Sequence, residues 1–219
     1  RRFSTRVTAE LLKDEAFDSV VVATGVEGRT PQIPGVDHPK VRSYTEAIED
    51  PSGNGKNVAV IGAGGIGFDV SELLTNEESP TLDLAAWKQE WGVAPEQDTR
   101  GGIVEPAVPS SPRKVVLLQR KDESLGRGLG KTSGWVHRAV LQKKQVEMIK
   151  GARYDKIDDE GLHVSLGKEH EESRVIAADT IVLCAGQESV RGLFDELIAA
   201  GVDAHLIGGA DVAAEVDAK

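Results

Sequence analysis

Short apolar runs alternate with amphipathic stretches along most of the chain. The apolar runs are rich in β-branched residues, which is typical of buried strands, and they occupy residues 18–25, 56–61, 114–119, 146–149, 180–184 and 205–208. Helical spacing predicts helices at residues 44–50, 68–74, 135–144 and 193–200. Residues 154–164 form a predicted hairpin, with a partner strand at 174–178. This alternation predicts an α/β fold whose parallel sheet is covered on both faces.

The strand at residues 56–61 runs directly into a Gly-x-Gly-x-x-Gly turn, which is Gly62-Ala63-Gly64-Gly65-Ile66-Gly67. In such a turn the first glycine permits the bend, the second lets a pyrophosphate approach the backbone, and the third lets the next helix pack close. The helix N-terminus then offers N–H groups and a partial positive charge to phosphate. We predict a Rossmann-like dinucleotide site; the alternative is a glycine turn that only packs a helix onto a sheet.

The strand after this helix ends at Gln119, and two cations, Arg120 and Lys121, follow it. An acid at this position binds the ribose 2′-OH of NAD, whereas a nearby Arg suits the 2′-phosphate of NADP. Because no carboxylate stands at the strand tip, these three residues predict NADPH as the cofactor. Residues 113–144 hold nine Lys or Arg against two acids. This basic patch suits a phosphorylated cofactor, and a solvated basic surface is the alternative.

Charge and cysteine content narrow the function further. The net charge of −10 argues against nucleic acid as the main partner. The lone Cys184 excludes an internal disulfide, a Cys-x-x-Cys redox pair and an iron–sulfur cluster held by this chain alone. No apolar run is long enough to cross a membrane and the start does not resemble a signal peptide, so we expect a cytoplasmic protein without a membrane partner. Since there is no initiator methionine, we also expect a piece of a longer protein.

Turns and prolines indicate where the chain divides. Residues 51–55 are turn-rich, so we predict a first segment at 1–50, the dinucleotide-binding domain at 51–186 and a return segment at 187–219. Residues 76–112 hold five of the nine prolines and interrupt the strand–helix alternation. An insertion of this length is usually functional or an interface. The alternative is a surface excursion in which Trp87 and Trp91, at helical spacing, form a small core.

The segments on either side of the glycine turn carry a second signal. Residues 23–25 are Ala-Thr-Gly, residues 184–186 are Cys-Ala-Gly, and residues 208–211 are Gly-Gly-Ala-Asp. Their order resembles that of two-dinucleotide flavoproteins, in which an NAD(P) domain is nested in an FAD domain. The resemblance implies that Gly186 passes near the nicotinamide. It also implies a partial FAD site made of Thr24, Gly25, Gly209 and Asp211.

Longer motifs make the resemblance more specific, and they lie at residues 60–69, 119–121, 128–138, 156–164, 184–188 and 205–213. On these motifs the chain is similar to the C-terminal portion of the bacterial 2,4-dienoyl-CoA reductases (NADPH), within the old-yellow-enzyme-like flavoproteins. The resemblance implies that residues 62–67 hold the NADPH pyrophosphate and that Arg120 and Lys121 meet its 2′-phosphate. No role for Lys131, Trp135 or His137 follows from it.

Members of that family join an N-terminal TIM barrel to the FAD and NADPH domains. The resemblance implies that electrons pass from NADPH through FAD, a [4Fe–4S] cluster and FMN to a 2,4-dienoyl-CoA, in unsaturated fatty acid β-oxidation. We therefore expect NADPH and the remaining domains of a parent protein as partners, and no catalytic residue or metal ligand in these 219 residues. An enoate reductase or an amine dehydrogenase relative would carry the same domain. A non-catalytic dinucleotide-binding or redox-sensing module is the alternative from another class.

Overall fold

The structure of the protein, a computed structural model, describes residues 1–95 and 97–214. The chain divides into two compact units, a smaller one of Arg1–Arg29 with Gly186–Lys219 and a larger one of Thr30–Ala185. The elements in chain order are α1 (Ala9–Asp14), β1 (Val20–Val22), β2 (Val26–Gly28), β3 (Val41–Ser43), α2 (Tyr44–Glu49), β4 (Asn57–Ile61), α3 (Gly65–Leu74), α4 (Leu84–Trp91), β5 (Lys114–Leu118), α5 (Gly134–Lys143), β6 (Glu147–Ile149), β7 (Arg153–Asp158), β8 (Gly161–Leu166), β9 (Glu172–Ala177), β10 (Thr180–Leu183), β11 (Gln187–Ser189), α6 (Gly192–Ala199) and β12 (Ala204–Leu206). In the described part of the chain, every helix is too short or too polar for a membrane crossing.

A five-stranded parallel sheet forms the centre of the larger unit, in the order β3-β10-β4-β5-β6. Strands β4 and β5 pair with Val58 opposite Val115 and Ile61 opposite Leu118. Their apolar residues are almost fully buried because neither face of the sheet meets solvent. The predicted α/β fold with a parallel sheet is confirmed.

Successive residues of each strand point to opposite faces of the sheet, so the apolar residues of one strand belong to two separate cores. On one face, Val60 packs in a cluster with Phe68 of α3 and Leu141 of α5. On the other face, Ile61 packs in a cluster with Leu162 of β8. That second layer is an antiparallel sheet in the order β7-β8-β9, which is the predicted hairpin with its partner strand. The sheet is therefore covered by helices on one face and by strands on the other.

The insertion at residues 76–112 contains 3₁₀ turns at Pro80–Leu82 and Arg100–Gly102, helix α4, and one antiparallel bridge between Val93 and Ile103. The ring centroids of Trp87 and Trp91 lie 6.1 Å apart.

Two consecutive lysines at the end of α5 hold the insertion in place. Lys143 Nζ lies 3.9 Å from the centroid of the Trp91 ring. Lys144 Nζ lies 3.1 Å from Glu90 Oε1, and the two side chains are 2% and 7% exposed. An ion pair this deeply buried leaves a costly lone charge when one partner is removed. Helix α4 of the insertion is thus fixed to the end of α5 by a charge pair and a cation–π contact.

The smaller unit contains two short sheets. Strands β1 and β12 pair in parallel, and β2 and β11 pair antiparallel. Val20 and Val22 point toward a core that includes Leu197 of α6. Val21, which points the other way, is 59% exposed.

Residues 30–50 lie in the larger unit, so its first boundary follows Arg29, whereas the turn-rich residues 51–55 predict a boundary after residue 50. Strand β3 forms an edge of the parallel sheet, with Val41 opposite Ile181, and Ala47 of α2 is buried in the helical layer. The turn at Pro51–Gly53 therefore connects elements of one unit. The second boundary falls between Ala185 and Gly186.

We expect Lys144→Met to lower the free energy of unfolding by about 3 kcal/mol, because it leaves the Glu90 carboxylate buried without its partner. The double variant Glu90→Leu with Lys144→Met should recover most of this loss, since both charges are gone. Lys143→Met serves as the control and should cost less than about 1 kcal/mol. Urea denaturation measures all three, and a single variant as stable as the unsubstituted chain would contradict the prediction.

Candidate dinucleotide-binding site

The glycine turn at residues 62–67 lies at the carboxyl end of β4, where the strand order of the sheet reverses. The chain proceeds from β4 to β5 and β6 on one side, whereas β10 and β3 lie on the other side. In open parallel sheets, ligands bind outside the carboxyl ends of the strands at such a switch point. The Gly62 N–H donates to the Leu118 carbonyl at 2.8 Å, and the Cys184 N–H donates to the Ile61 carbonyl at 2.8 Å. The turn is therefore held between the ends of β5 and β10.

Two glycines of the turn leave no room for a side chain. Gly62 has φ +111°, and a Cβ there would lie 2.1 Å from the carbonyl oxygen of Cys184. A Cβ on Gly67 would lie 1.8 Å from the carbonyl oxygen of Gly62. Residue types other than glycine would thus move α3 away from the strand. Gly64 is exposed, so its bare backbone is open to a ligand.

The first turn of α3 suits an anion. Gly64 is the N-cap residue, it supplies no side-chain cap hydrogen bond, and no acidic residue lies in the first turn. Ala63 and Ile66 are half-buried and pack against the helical layer of the core. A helix N-terminus carries a partial positive charge and N–H groups directed outward. The six predicted residues therefore form a continuous backbone cradle at the start of α3, and the pyrophosphate contact stays a prediction.

The tip of β5 is organised by Gln119. Its Nε2 donates to the carbonyls of Lys121 at 2.9 Å and Glu123 at 2.6 Å. The amide of Gln119 thus fixes the loop that follows β5. Arg120 and Lys121 are both exposed, and Lys121 Nζ lies 3.7 Å from Glu123 Oε1. Gln119 therefore holds the loop that carries the two exposed cations, and the contact of these three residues with a cofactor stays a prediction.

The basic loop after β5 lines an open cavity of about 700 Å³. The cations along it are Arg127, Lys131, Arg138 and Lys150. Three of them are already engaged: Arg127 Nη1 lies 2.9 Å from Glu123 Oε2, Arg138 Nη1 donates to the Gly126 carbonyl at 3.1 Å, and Lys150 Nζ lies 2.9 Å from Asp122 Oδ1.

The structure also gives the surroundings of His137 and Trp135, which belong to the motif at residues 128–138. His137 Nδ1 lies 3.6 Å from Glu72 Oε2, so this histidine links α5 to α3. Trp135, in the first turn of α5, is 59% exposed.

In the smaller unit, the residues assigned to FAD lie at the carboxyl ends of the parallel strands β1 and β12. A Cβ on Gly209 would lie 3.4 Å from the backbone carbon of Gly25, so these two glycines are close together. The Thr24 hydroxyl donates to the Val190 carbonyl. Asp211 is exposed at the end of the 3₁₀ turn Gly208–Ala210.

Gly186 also belongs to the smaller unit. It has φ +101°, and its carbonyl accepts from the Arg29 N–H at 3.0 Å. The positive φ explains why glycine stands there.

Two further groups of reactive side chains have structural surroundings. Cys184 is buried in the helical layer, and burial raises the pKa of its thiol to about 12. Asp158, Glu160 and His163 gather at the β7–β8 turn. The Asp158 carboxylate already accepts from Lys156 Nζ at 2.6 Å and the Glu160 N–H at 3.0 Å, and it lies 2.8 Å from His163 Nε2. This carboxylate therefore secures the hairpin.

An open parallel sheet with a glycine cradle at its switch point defines a dinucleotide-binding α/β protein. Residues 4–212 match the family described as pyridine nucleotide-disulphide oxidoreductase, and the chain belongs to that family. Membership makes this an oxidoreductase domain and implies FAD and NAD(P)H as cofactors.

Three similar proteins extend well beyond this chain. A metal reductase of Desulforamulus reducens is 26% identical over 200 residues, covering 90% of this chain and 29% of that protein. The structure of a 2-naphthoyl-CoA reductase with 2-naphthoyl-CoA has a TM-score of 0.73 at 20% identity. The match covers 97% of this chain and 27% of the reductase chain. The structure of 6-hydroxypseudooxynicotine amine oxidase from Pseudomonas geniculata has a TM-score of 0.67 at 20% identity. The match covers 96% of this chain and 29% of the oxidase chain. The two structures show the fold alone, and this chain spans less than a third of each relative.

We expect Gly67→Ala to weaken dinucleotide binding more than tenfold and to lower the free energy of unfolding by about 1–3 kcal/mol, because the new methyl group displaces α3 from the Gly62 carbonyl. Gly128→Ala is the matched control, since a Cβ there would meet no atom within 4 Å. Calorimetric titration and urea denaturation measure the two effects. Unchanged affinity in a stable Gly67→Ala variant would refute the prediction that the turn at residues 62–67 binds the dinucleotide.

We expect the Cys184 thiol to resist a disulfide reagent at pH 8 in the native protein. Its raised pKa keeps the thiol protonated at that pH, and burial blocks access. In denaturing urea the same thiol should react within minutes. Fast stoichiometric labelling under native conditions would show that the strand end is open.

Proposed function

We infer that the larger unit binds NADPH and that the chain is the NADPH-binding portion of a flavoprotein reductase of the 2,4-dienoyl-CoA reductase type. The observation that carries this assignment is the pair of cations at the tip of β5. Arg120 and Lys121 follow a strand that ends in the amide Gln119, where NAD-dependent proteins place an acid. The family assignment supports a pyridine nucleotide at this position.

The residues of the chain bind and orient the cofactor. The backbone of residues 62–67 would hold the pyrophosphate, since the cradle has no side chains at Gly62 and Gly67 and no acid in the first turn of α3. Arg120 would pair with the 2′-phosphate, because a guanidinium forms paired hydrogen bonds to phosphate oxygens. Bound NADPH supplies a hydride, and the protein contributes orientation and electrostatics. Gly186 is proposed to pass near the nicotinamide.

FAD binding is proposed for the smaller unit. The carboxyl ends of β1 and β12 bring Gly25 close to Gly209, and Thr24 and Asp211 belong to the same loops. These residues would form part of an FAD site. The chain spans less than a third of its relatives, so a TIM barrel, FMN, a [4Fe–4S] cluster and a 2,4-dienoyl-CoA substrate are proposals for the whole protein. A cytoplasmic location is proposed with them.

We expect NADPH to bind at least tenfold more tightly than NADH, and Arg120→Ala to remove most of that difference. A hydrogen-bonded charge pair is worth about 1.5–3 kcal/mol, which corresponds to roughly tenfold or more in affinity. Lys56→Ala is the control, because Lys56 is an exposed cation at the opposite end of β4. Calorimetric titration with each dinucleotide measures the ratio.

Equal affinities for NADPH and NADH would remove the NADPH assignment and leave the dinucleotide site. Failure of both to bind the folded chain would instead favour a glycine turn with a packing role. Flavin-dependent turnover by the full-length protein with a dienoyl-CoA would separate the proposed activity from that of an enoate reductase or an amine dehydrogenase.

A further inference from the structure

We propose that the β8–β9 turn completes the 2′-phosphate site, with Lys168 and His170 facing Arg120 across a pocket. This inference rests on the proposed NADPH function and adds residues from a different part of the chain. The pocket has a volume of about 450 Å³, and its lining is Arg120, Asp122, Lys150, Gly151, Gly167, Lys168 and His170. All of these residues belong to the larger unit.

Three loops meet at this pocket, and hydrogen bonds join two of them. The Gly151 N–H donates to the Lys121 carbonyl at 3.1 Å, and the Ala152 N–H donates to the Gln119 carbonyl at 3.0 Å. The loops after β5 and β6 therefore keep a fixed spacing. The third loop, residues 167–171, approaches from the antiparallel layer. The turn between β8 and β9 therefore reaches the carboxyl edge of the parallel sheet.

Cations outnumber acids in the pocket. Lys150 Nζ lies 2.9 Å from Asp122 Oδ1, so the one acid of the lining is paired. Within residues 1–95 and 97–214, neither Arg120 nor Lys168 forms an ion pair. Arg120 and Lys168 line the same pocket and repel one another across it. A dianionic phosphate would relieve that repulsion and pair with them.

The β8–β9 turn places Lys168 and His170 in the lining of the pocket. Gly167 has φ +88° and His170 has φ +57°, so the turn is tight. The Glu171 carboxylate accepts from the Glu169 N–H at 2.9 Å, so it is engaged within the turn. His170 Nδ1 lies 3.3 Å from the Ser165 carbonyl oxygen, which orients the ring. The Glu171 carboxylate is thereby accounted for within the turn, and it is absent from the lining of the pocket.

The cavity on the other side of the basic loop is the competing location for the phosphate. There Arg127 is paired with Glu123, Arg138 is bound to the Gly126 carbonyl and Lys150 is paired with Asp122, which leaves Lys131. Arg120 is absent from that lining and present in the pocket of the β8–β9 turn. Since Arg120 directly follows the strand that ends at the ribose, the observations favour the β8–β9 side.

The test measures NADPH and NADH affinities of the chain by calorimetry, with three variants. Lys168→Gln with His170→Asn should weaken NADPH binding about tenfold and leave NADH binding within twofold, because only NADPH carries the 2′-phosphate. Asn is chosen at position 170 because it tolerates a positive φ. Arg127→Gln with Lys131→Gln tests the competing cavity, and Lys56→Gln is the distant control. Circular dichroism checks that each variant is folded.

An unchanged NADPH to NADH ratio in the Lys168→Gln/His170→Asn variant overturns the proposal. If the ratio falls in the Arg127→Gln/Lys131→Gln variant instead, the 2′-phosphate lies in the other cavity and the proposed NADPH function stands. If the unsubstituted chain binds both dinucleotides equally, the proposed function and this inference fail together.

Discussion

A Cβ on Gly67 would lie 1.8 Å from the Gly62 carbonyl oxygen, so α3 can begin against the end of β4 only if residue 67 has no side chain. Several other features follow from that close approach. It buries Phe68 under the sheet, and Phe68 in turn limits Gly126, where a Cβ would lie 2.7 Å from the Phe68 ring. The basic loop is therefore positioned by the same helix that offers its N-terminus to phosphate. Steric fit at one glycine thus sets the spacing between two parts of the site.

Electrostatics at the carboxyl edge of the sheet follow from this geometry. The helix end contributes a partial positive charge, and the loops after β5 and β6 add full charges beside it. Gln119 is central here, because an acid in its place could not donate to the two loop carbonyls that it now binds. The amide therefore removes a negative charge from the strand tip and shapes the loop that carries Arg120. In the NADPH site that we propose, cofactor preference and loop conformation would both depend on this residue.

The sequence was sufficient for the parts of the fold that depend on local pattern. Strand β4, the glycine turn and α3 follow from periodicity and from the backbone freedom of glycine, and the hairpin β7–β8 follows from alternation. Contacts between distant segments could not be predicted in this way. The pairing of β3 with β10, which moved residues 30–50 into the larger unit, depends on sheet order. The meeting of Lys168 with Arg120 depends on two turns 48 residues apart in sequence.

The smaller unit contains a parallel pair of strands that is covered on one face only. Parallel strands are stable when both of their faces are covered, since their apolar residues then leave water on either side. In this unit β1 and β12 form a parallel pair whose inner face packs on Leu197 while Val21 on the outer face is 59% exposed. A two-stranded sheet with one open face is marginal by itself. The residues that we propose for FAD lie at the carboxyl ends of this same pair, so the open face and the proposed site belong to one small sheet.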